Sequence, residues 1–196
     1  MMRRGLWIAV GVVVVLVLAV VMIFGSYVSA RNQMVAKQVA YQTQWSNVQT
    51  QLQRRSDLIP NLVATVKGYA THEETVFADV SNANAGLLNA EKSNNPKAAM
   101  QASGQLDGAL GRLLALSENY PYLKANQNFL ALQDQLEGTE NRIAVERRRY
   151  NEALQDYNTF IRQFPNNIWA GMAGFQPNNA YFEASAGSQN APTVKF

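Results

Sequence analysis

The chain contains no cysteine. Disulfide staples, thiolate metal ligands and thiol nucleophiles are all excluded, and the redox compartment is left open. Histidine is almost as scarce, with His72 the single copy in 196 residues. A zinc site needs several ligands on one face, such as two histidines at i and i+4, and nothing here is spaced that way. His72, followed by Glu73 and Glu74, reads as a surface residue of a turn. No Gly-rich phosphate loop leads into Lys and Ser/Thr, and the presence of Ser, Asp and His somewhere in a chain this long carries no triad information. No stretch of any length alternates at the strand period, and no α/β alternation occurs. No catalytic, cofactor-binding or metal-binding residue is therefore assigned, and the chain is read as non-enzymatic.

Charge is missing from Leu6 to Phe24, a run of Leu, Val, Ile, Ala, Trp, Met, Phe and one Gly. As a helix this run covers roughly 28 Å, about the hydrocarbon thickness of a bilayer. The lipid bilayer is thus the first expected partner, crossed once. Gly5, Gly11 and Gly25 are not four apart, so no small-xxx-small packing motif accompanies the span. Arg3 and Arg4 precede the run, while Arg31 and Lys37 are the first basic residues beyond it. That bias favours a cytoplasmic N-terminus and a soluble part exported to the other side of the membrane. Val28-Ser29-Ala30 loosely resembles a processing site. The apolar core is longer than the roughly 7–15 residues of a signal peptide, so an uncleaved anchor is the expectation.

The chain carries 17 basic and 14 acidic residues. Without Arg3 and Arg4 the balance is fifteen against fourteen, which gives no reason to expect nucleic acid. Three regions are expected: an anchor with its flanks at 1–30, a long helical bundle at 31–165, and an irregular tail at 166–196.

Within 30–70, Tyr41, Trp45, Val48, Leu52, Ile59, Leu62, Val66 and Tyr69 recur at alternating spacings of four and three, with Arg55 in the one missing place. This a/d seam predicts a helix packed in a bundle or coiled coil, and no punctuation separates it from the anchor. Pro60 has no amide hydrogen to donate and clashes with the carbonyl of Ser56, so a kink or break is expected there. A second helix is predicted over 74–92 after a turn at Thr71–Glu74. A third begins at the Asn94-Asn95-Pro96 cap and runs to about Ser117. Asn119-Tyr120-Pro121 opens a fourth segment, expected to be the longest, in which Phe129, Leu132, Leu136, Ile143, Tyr150, Leu154, Tyr157, Ile161 and Phe164 recur at helical spacings until Pro165. The fold class is all-α: a transmembrane helix followed by an elongated antiparallel four-helix bundle. The tail carries Trp169, Phe175, Tyr181, Phe182, Val194 and Phe196, and is expected to pack on the bundle or on a neighbouring subunit.

Arg55, Glu140 and Arg147 occupy seam positions where apolar side chains are expected. A buried charge needs a partner, which predicts an Arg55–Glu140 ion pair that fixes helix register and adds little net stability. Arg54, Asp57, Glu146 and Arg148 either widen this network or face solvent.

The run Gln51-Leu52-Gln53-Arg54-Arg55-Ser56-Asp57-Leu58-Ile59-Pro60-Asn61-Leu62 resembles the LemA family of bacterial membrane proteins. The resemblance continues through Val66-Lys67-Gly68-Tyr69-Ala70, His72-Glu73 and Glu118-Asn119-Tyr120-Pro121. It returns at Glu140-Asn141-Arg142-Ile143, Arg148-Arg149-Tyr150-Asn151 and Tyr157-Asn158. In the tail it includes Phe175, Tyr181-Phe182-Glu183 and Val194-Lys195-Phe196, so it covers about 40–196. It implies an N-terminal membrane helix and a largely helical domain, and it brings no established enzymatic activity to carry over. Relatives associated with magnetosome membranes, and others encoded near membrane proteases, make a scaffold or an adaptor the expected role. The leading expectation is a homo-oligomeric scaffold that organises or shapes the membrane. The alternative is an adaptor or regulator of a membrane protease or cell-envelope complex.

Overall fold

The computed structural model describes residues 2–93 and 95–182. Every regular element among them is a helix: α1 (Met2–Lys67), α2 (Glu74–Lys92), α3 (Pro96–Ser117), α4 (Pro121–Lys124), α5 (Gln127–Arg162) and α6 (Asn166–Ala173). The predicted bounds of the second and third helices agree with α2 and α3. The longest helix is α1, with 66 residues, and not the fourth predicted segment, whose counterpart α5 has 36. The segment expected to be irregular from 166 onward opens with the two turns of α6.

Local chemistry sets the ends. Asn95 caps α3, its Oδ1 accepting from the amides of Lys97 at 3.0 Å and Ala98 at 3.3 Å, and Pro96 sits where a missing amide hydrogen does no harm. The Asn94 part of the predicted cap lies outside the described residues. Gly174, at φ 78°, ends α6 in the left-handed conformation that only glycine adopts cheaply, and the Phe175 amide turns back to the Ala170 carbonyl. Phe164–Pro165 is a cis peptide bond.

Contacts group the chain into two compact units, with α1 and α5 contributing to both. One unit takes the chain up to residue 41 together with 153–178. Its core joins Ala30 and Met34 of α1 to Leu154, Tyr157 and Ile161 of α5 and Ala170 of α6. Tyr41 meets Tyr157 at 5.2 Å between ring centroids, and Tyr27 meets Trp169 at 5.7 Å. Before this core, from Val12 to Phe24, the valines, leucines, Met22, Ile23 and Phe24 are all more than half exposed or close to it. A helix that is apolar all round and has no protein around it suits lipid.

The other unit takes residues 42–152 and the chain from 179 onward. Its fully buried side chains include Leu52, Ile59 and Leu62 of α1, Leu87 of α2, Leu106 and Leu113 of α3, Leu123 of α4, and Phe129, Ile143 and Tyr150 of α5. Polar contacts tie its inter-helix turns together. The Tyr120 hydroxyl donates to Glu73 at 3.3 Å, and Asn126 Nδ2 donates to the Tyr69 hydroxyl at 2.8 Å.

Pro60 was expected to kink or break the first helix, yet α1 continues through it. The helix lacks the amide that would bond the Ser56 carbonyl. That carbonyl instead accepts from Asn84 Nδ2 of α2 at 3.2 Å, and both Ser56 and Asn84 are buried. A donor lost within one helix is thus supplied by its neighbour. Asn84→Ala should therefore cost about 1–3 kcal/mol, the penalty for an orphaned buried carbonyl. In a Pro60→Ala background, where the helix makes its own bond, the cost should be clearly smaller. Denaturant unfolding of the full chain in detergent, run as a double-mutant cycle, measures the difference. Equal costs in both backgrounds would remove Asn84 from this role.

Candidate functional site

The charged centre of the second unit is built from three helices. Arg55 projects from α1 at the seam position between Leu52 and Ile59. Its Nη2 donates to Asp107 Oδ1 of α3 at 2.5 Å, and its Nη1 lies 2.9 Å from Glu140 Oε2 of α5. The second contact is an ion pair whose geometry is not that of an aligned hydrogen bond. The Arg55 side chain is 7% exposed, whereas those of Asp107 and Glu140 are 45% and 43% exposed. The group that the core has taken out of water is the guanidinium, and the two carboxylates reach it from the rim.

Seven residues beyond Glu140 on the same helix, Arg147 Nη2 donates to the buried Ser103 hydroxyl at 3.0 Å, and its guanidinium lies 5.5 Å from the Phe182 ring centre. Burial lowers the Arg147 pKa from its ordinary value; the Glu140 and Asp107 carboxylates oppose that shift and Arg55 adds to it. Phe182 closes an aromatic cluster with Trp45 at 5.9 Å and Tyr150 at 5.3 Å. Asn151 holds the Phe182 backbone from both sides, donating to its carbonyl at 2.8 Å and accepting from its amide at 2.9 Å.

The same arrangement recurs one heptad later, inside the first unit. Tyr157 donates its hydroxyl to the Gln176 carbonyl at 3.0 Å. Asn158 donates to the Asn178 carbonyl at 2.6 Å and accepts from its amide at 3.0 Å. Tyr150-Asn151 and Tyr157-Asn158 are thus a repeated dipeptide in which each asparagine grips one residue of the chain after α6. An asparagine amide carries both a donor and an acceptor, which is what a backbone N–H and C=O on one residue require.

Other singled-out residues lie apart from this centre. Asp57 is exposed and accepts from Gln53 at 2.8 Å; Pro60 is exposed on α1. Arg54 and Arg148 face solvent, and Glu146 pairs with Arg149 at 2.8 Å. Trp169 belongs with Tyr27, while Phe175 and Tyr181 are half-buried. Phe196 and Val194 lie outside the described residues. The sequence reading missed Asp107, Ser103, Asn151 and Asn158. The Tyr-Asn repeat at seven-residue spacing was the available signal for the two asparagines. Asp107 gave none, because one aspartate on an α3 flank looks like any solvated charge.

Beside the Arg55 centre, α3 and α5 line an open groove of about 460 Å³. Leu110, Leu114 and Leu136 form its apolar part, and Asp107, Glu137 and Glu140 give it an acidic rim. A second depression holds Glu91, whose carboxyl is pushed up to about 7 by burial and by the Asp57 charge. Among the described residues no three His, Cys, Asp or Glu side chains gather as a metal site would require. The arrangement suits holding helices and a peptide-like tail in register.

The profile of the LemA family matches residues 44–196. The chain belongs to the LemA family. The match takes in every residue of the charged centre and both Tyr-Asn pairs. Magnetosome protein MamQ 2 of Paramagnetospirillum magneticum is 28% identical over 197 residues, covering 89% of this chain and 72% of that protein. Magnetosome protein MamQ of Magnetospirillum gryphiswaldense is 27% identical over 169 residues, 74% of this chain and 62% of that protein. Protein LemA of Metamycoplasma hominis is 25% identical over 159 residues, 81% and 71% of the two chains. None of these three names denotes an enzyme. LemA membership, with the apolar start of α1, makes this a membrane-associated protein.

Because the buried partner is Arg55 and both carboxylates stand at the rim, either carboxylate alone should be dispensable at small cost. Removing both charges, as Asp107→Asn with Glu140→Gln, should cost about 1.5–3 kcal/mol, the range for a hydrogen bond to a charged group. Solvent at the rim keeps this below the penalty of a fully buried orphan. Adding Arg55→Leu to that pair should recover much of the loss, since an apolar side chain leaves nothing unpaired. Denaturant melts of the four variants test the scheme. Single carboxylate variants as unstable as the double variant would reject shared pairing.

Proposed function

We propose that this LemA-family protein is a membrane-anchored scaffold that self-associates and organises or shapes the bilayer holding it. The observation that supports the reading most is the continuity of α1. The apolar run Leu6–Phe24 and Arg55 belong to one uninterrupted helix. Val28 and Val35, two helical turns apart on α1, are exposed apolar side chains through which copies can pack side by side. The MamQ relatives are magnetosome proteins by name, which agrees with a role at a membrane.

On this reading, protein extracted in mild detergent or nanodiscs runs as an assembly larger than a dimer in multi-angle light scattering. A strictly monomeric mass across micromolar concentrations would sink the scaffold. The acidic-rimmed groove between α3 and α5 favours a second reading, an adaptor for a membrane protease or envelope complex. A monomer crosslinked in native membranes to one dominant other protein would support that adaptor.

The proposed orientation places the part after the anchor outside the inner membrane, because Arg3 and Arg4 flank the apolar run on its N-terminal side. A C-terminal tag should then be digested by protease added to spheroplasts while cytoplasmic control proteins survive. Full protection of a tag that is cleaved after lysis would reverse the orientation.

A further inference from the structure

The stretch from Gln163 to Phe182 contains no charged residue, an unusual gap in a chain with 31 charged side chains. Within it, α6 has two unlike faces. Trp169, Ala170 and Ala173 turn inward, while Ile168, 49% exposed, and Met172, 71% exposed, lie one turn apart on the outer face. Phe164, just before the helix, is 81% exposed. Three large apolar side chains thus stand uncovered on a short uncharged segment, and something apolar is expected to cover them.

Their position names the cover. Trp169 packs edge-to-face on Tyr27, its ring centre 5.7 Å away, inside the same unit. Tyr27 lies three residues past the end of the apolar run. Trp7 stands near its start, and the twenty residues between the two rings span about 30 Å of helix, the thickness of a hydrocarbon core. Trp and Tyr at such a separation are the pair of aromatic belts that mark the two bilayer interfaces. Arg31, exposed one turn beyond Tyr27, is where a cation meets lipid headgroups. Contact with Tyr27 therefore sets α6 at the level of one interface.

We propose that α6 docks onto the bilayer that α1 crosses, with Ile168 and Met172 seated at the headgroup–acyl boundary and Trp169 locked against Tyr27. This rests on the reading of Leu6–Phe24 as a membrane span. The chain would then hold its membrane at two places, a spanning helix and an interfacial one, which fixes α1 against rolling or sliding in the bilayer. An amphipathic segment lying in the interface needs its apolar face buried only a few ångströms deep, within reach of two side chains on one helix face.

The absence of native cysteine permits a direct test. Full-length Met172→Cys and Val14→Cys, each carrying a nitrobenzoxadiazole label, are reconstituted in vesicles of phosphatidylethanolamine and phosphatidylglycerol doped with nitroxide lipids. The Met172→Cys probe should be quenched several-fold more by nitroxides at the headgroup or upper acyl chain than by deep ones, and should resist aqueous iodide. The Val14→Cys probe should show the opposite depth preference. Iodide quenching of the Met172→Cys probe without nitroxide quenching overturns the docking. Protection from both quenchers, with self-quenching that grows with protein density, also overturns it and assigns the face to a second copy. Failure of the Val14→Cys probe to respond to deep nitroxides sinks the span itself, so the two failures are distinguishable.

Discussion

A guanidinium taken out of water must find negative charge, and the second unit is arranged around that requirement at Arg55. No single helix meets it. Asp107 comes from α3 and Glu140 from α5, both reaching inward from half-exposed positions toward a side chain that solvent scarcely touches. Rotating α1 by one position, or sliding α3 by one turn, would leave the cation unpaired and the neighbouring leucines misaligned. Such a centre contributes modestly to net stability, because desolvation offsets much of the attraction. Its larger effect is to make one helix register much better than the others. Arg147 extends the same logic to Ser103 and the Phe182 ring, so the charged centre also touches the chain that follows α6.

Buried polar side chains in this molecule are directed mainly at backbone. Asn84 supplies the donor that Pro60 removes from α1. Asn151 and Asn158 each take both hydrogen-bonding groups of one tail residue. A strand neighbour would satisfy an extended segment in the same way, but the described residues contain no strand, so side chains of α5 take that part. The heptad spacing follows from helix geometry. Seven residues return the side chain to nearly the same face two turns along, and successive grips then meet the chain that follows α6.

How much of this could be read from the chain differs from residue to residue. The bounds of α2 and α3 were legible because Asn-Pro punctuation and a polar turn act locally. Arg55 and Glu140 were legible as polar intrusions in an apolar seam, a pattern that needs only helical period. Asp107 was not, since its role depends on which face of α3 meets α1, a tertiary fact with no local trace. Pro60 was legible as a lost donor, while the group that replaces it sits on another helix, out of reach of local reading. In the tail, aromatic content drew attention to Trp169 and Phe182, whose rings meet Tyr27 and the Trp45–Tyr150 pair. The helical stretch of α6 was masked by Pro165, Gly171 and Gly174, which at the scale of single residues look like a loop.

The ionised groups of the centre also bear on what kind of function such a molecule has. Asp107 and Glu140 both face the buried Arg55 guanidinium, and Arg147 is occupied by Ser103 and an aromatic face. The polar chemistry is directed inward, to fix helices and tail, which leaves recognition to the outer surfaces. Two of those are apolar and have stated neighbours in sequence: the lipid-suited turns of α1 and the outer face of α6. A third, the groove between α3 and α5, has an apolar floor and an acidic rim. Within the second unit, the groove is bordered by the same helices that the Arg55 centre ties together, so its apolar floor and acidic rim are positioned by that pairing.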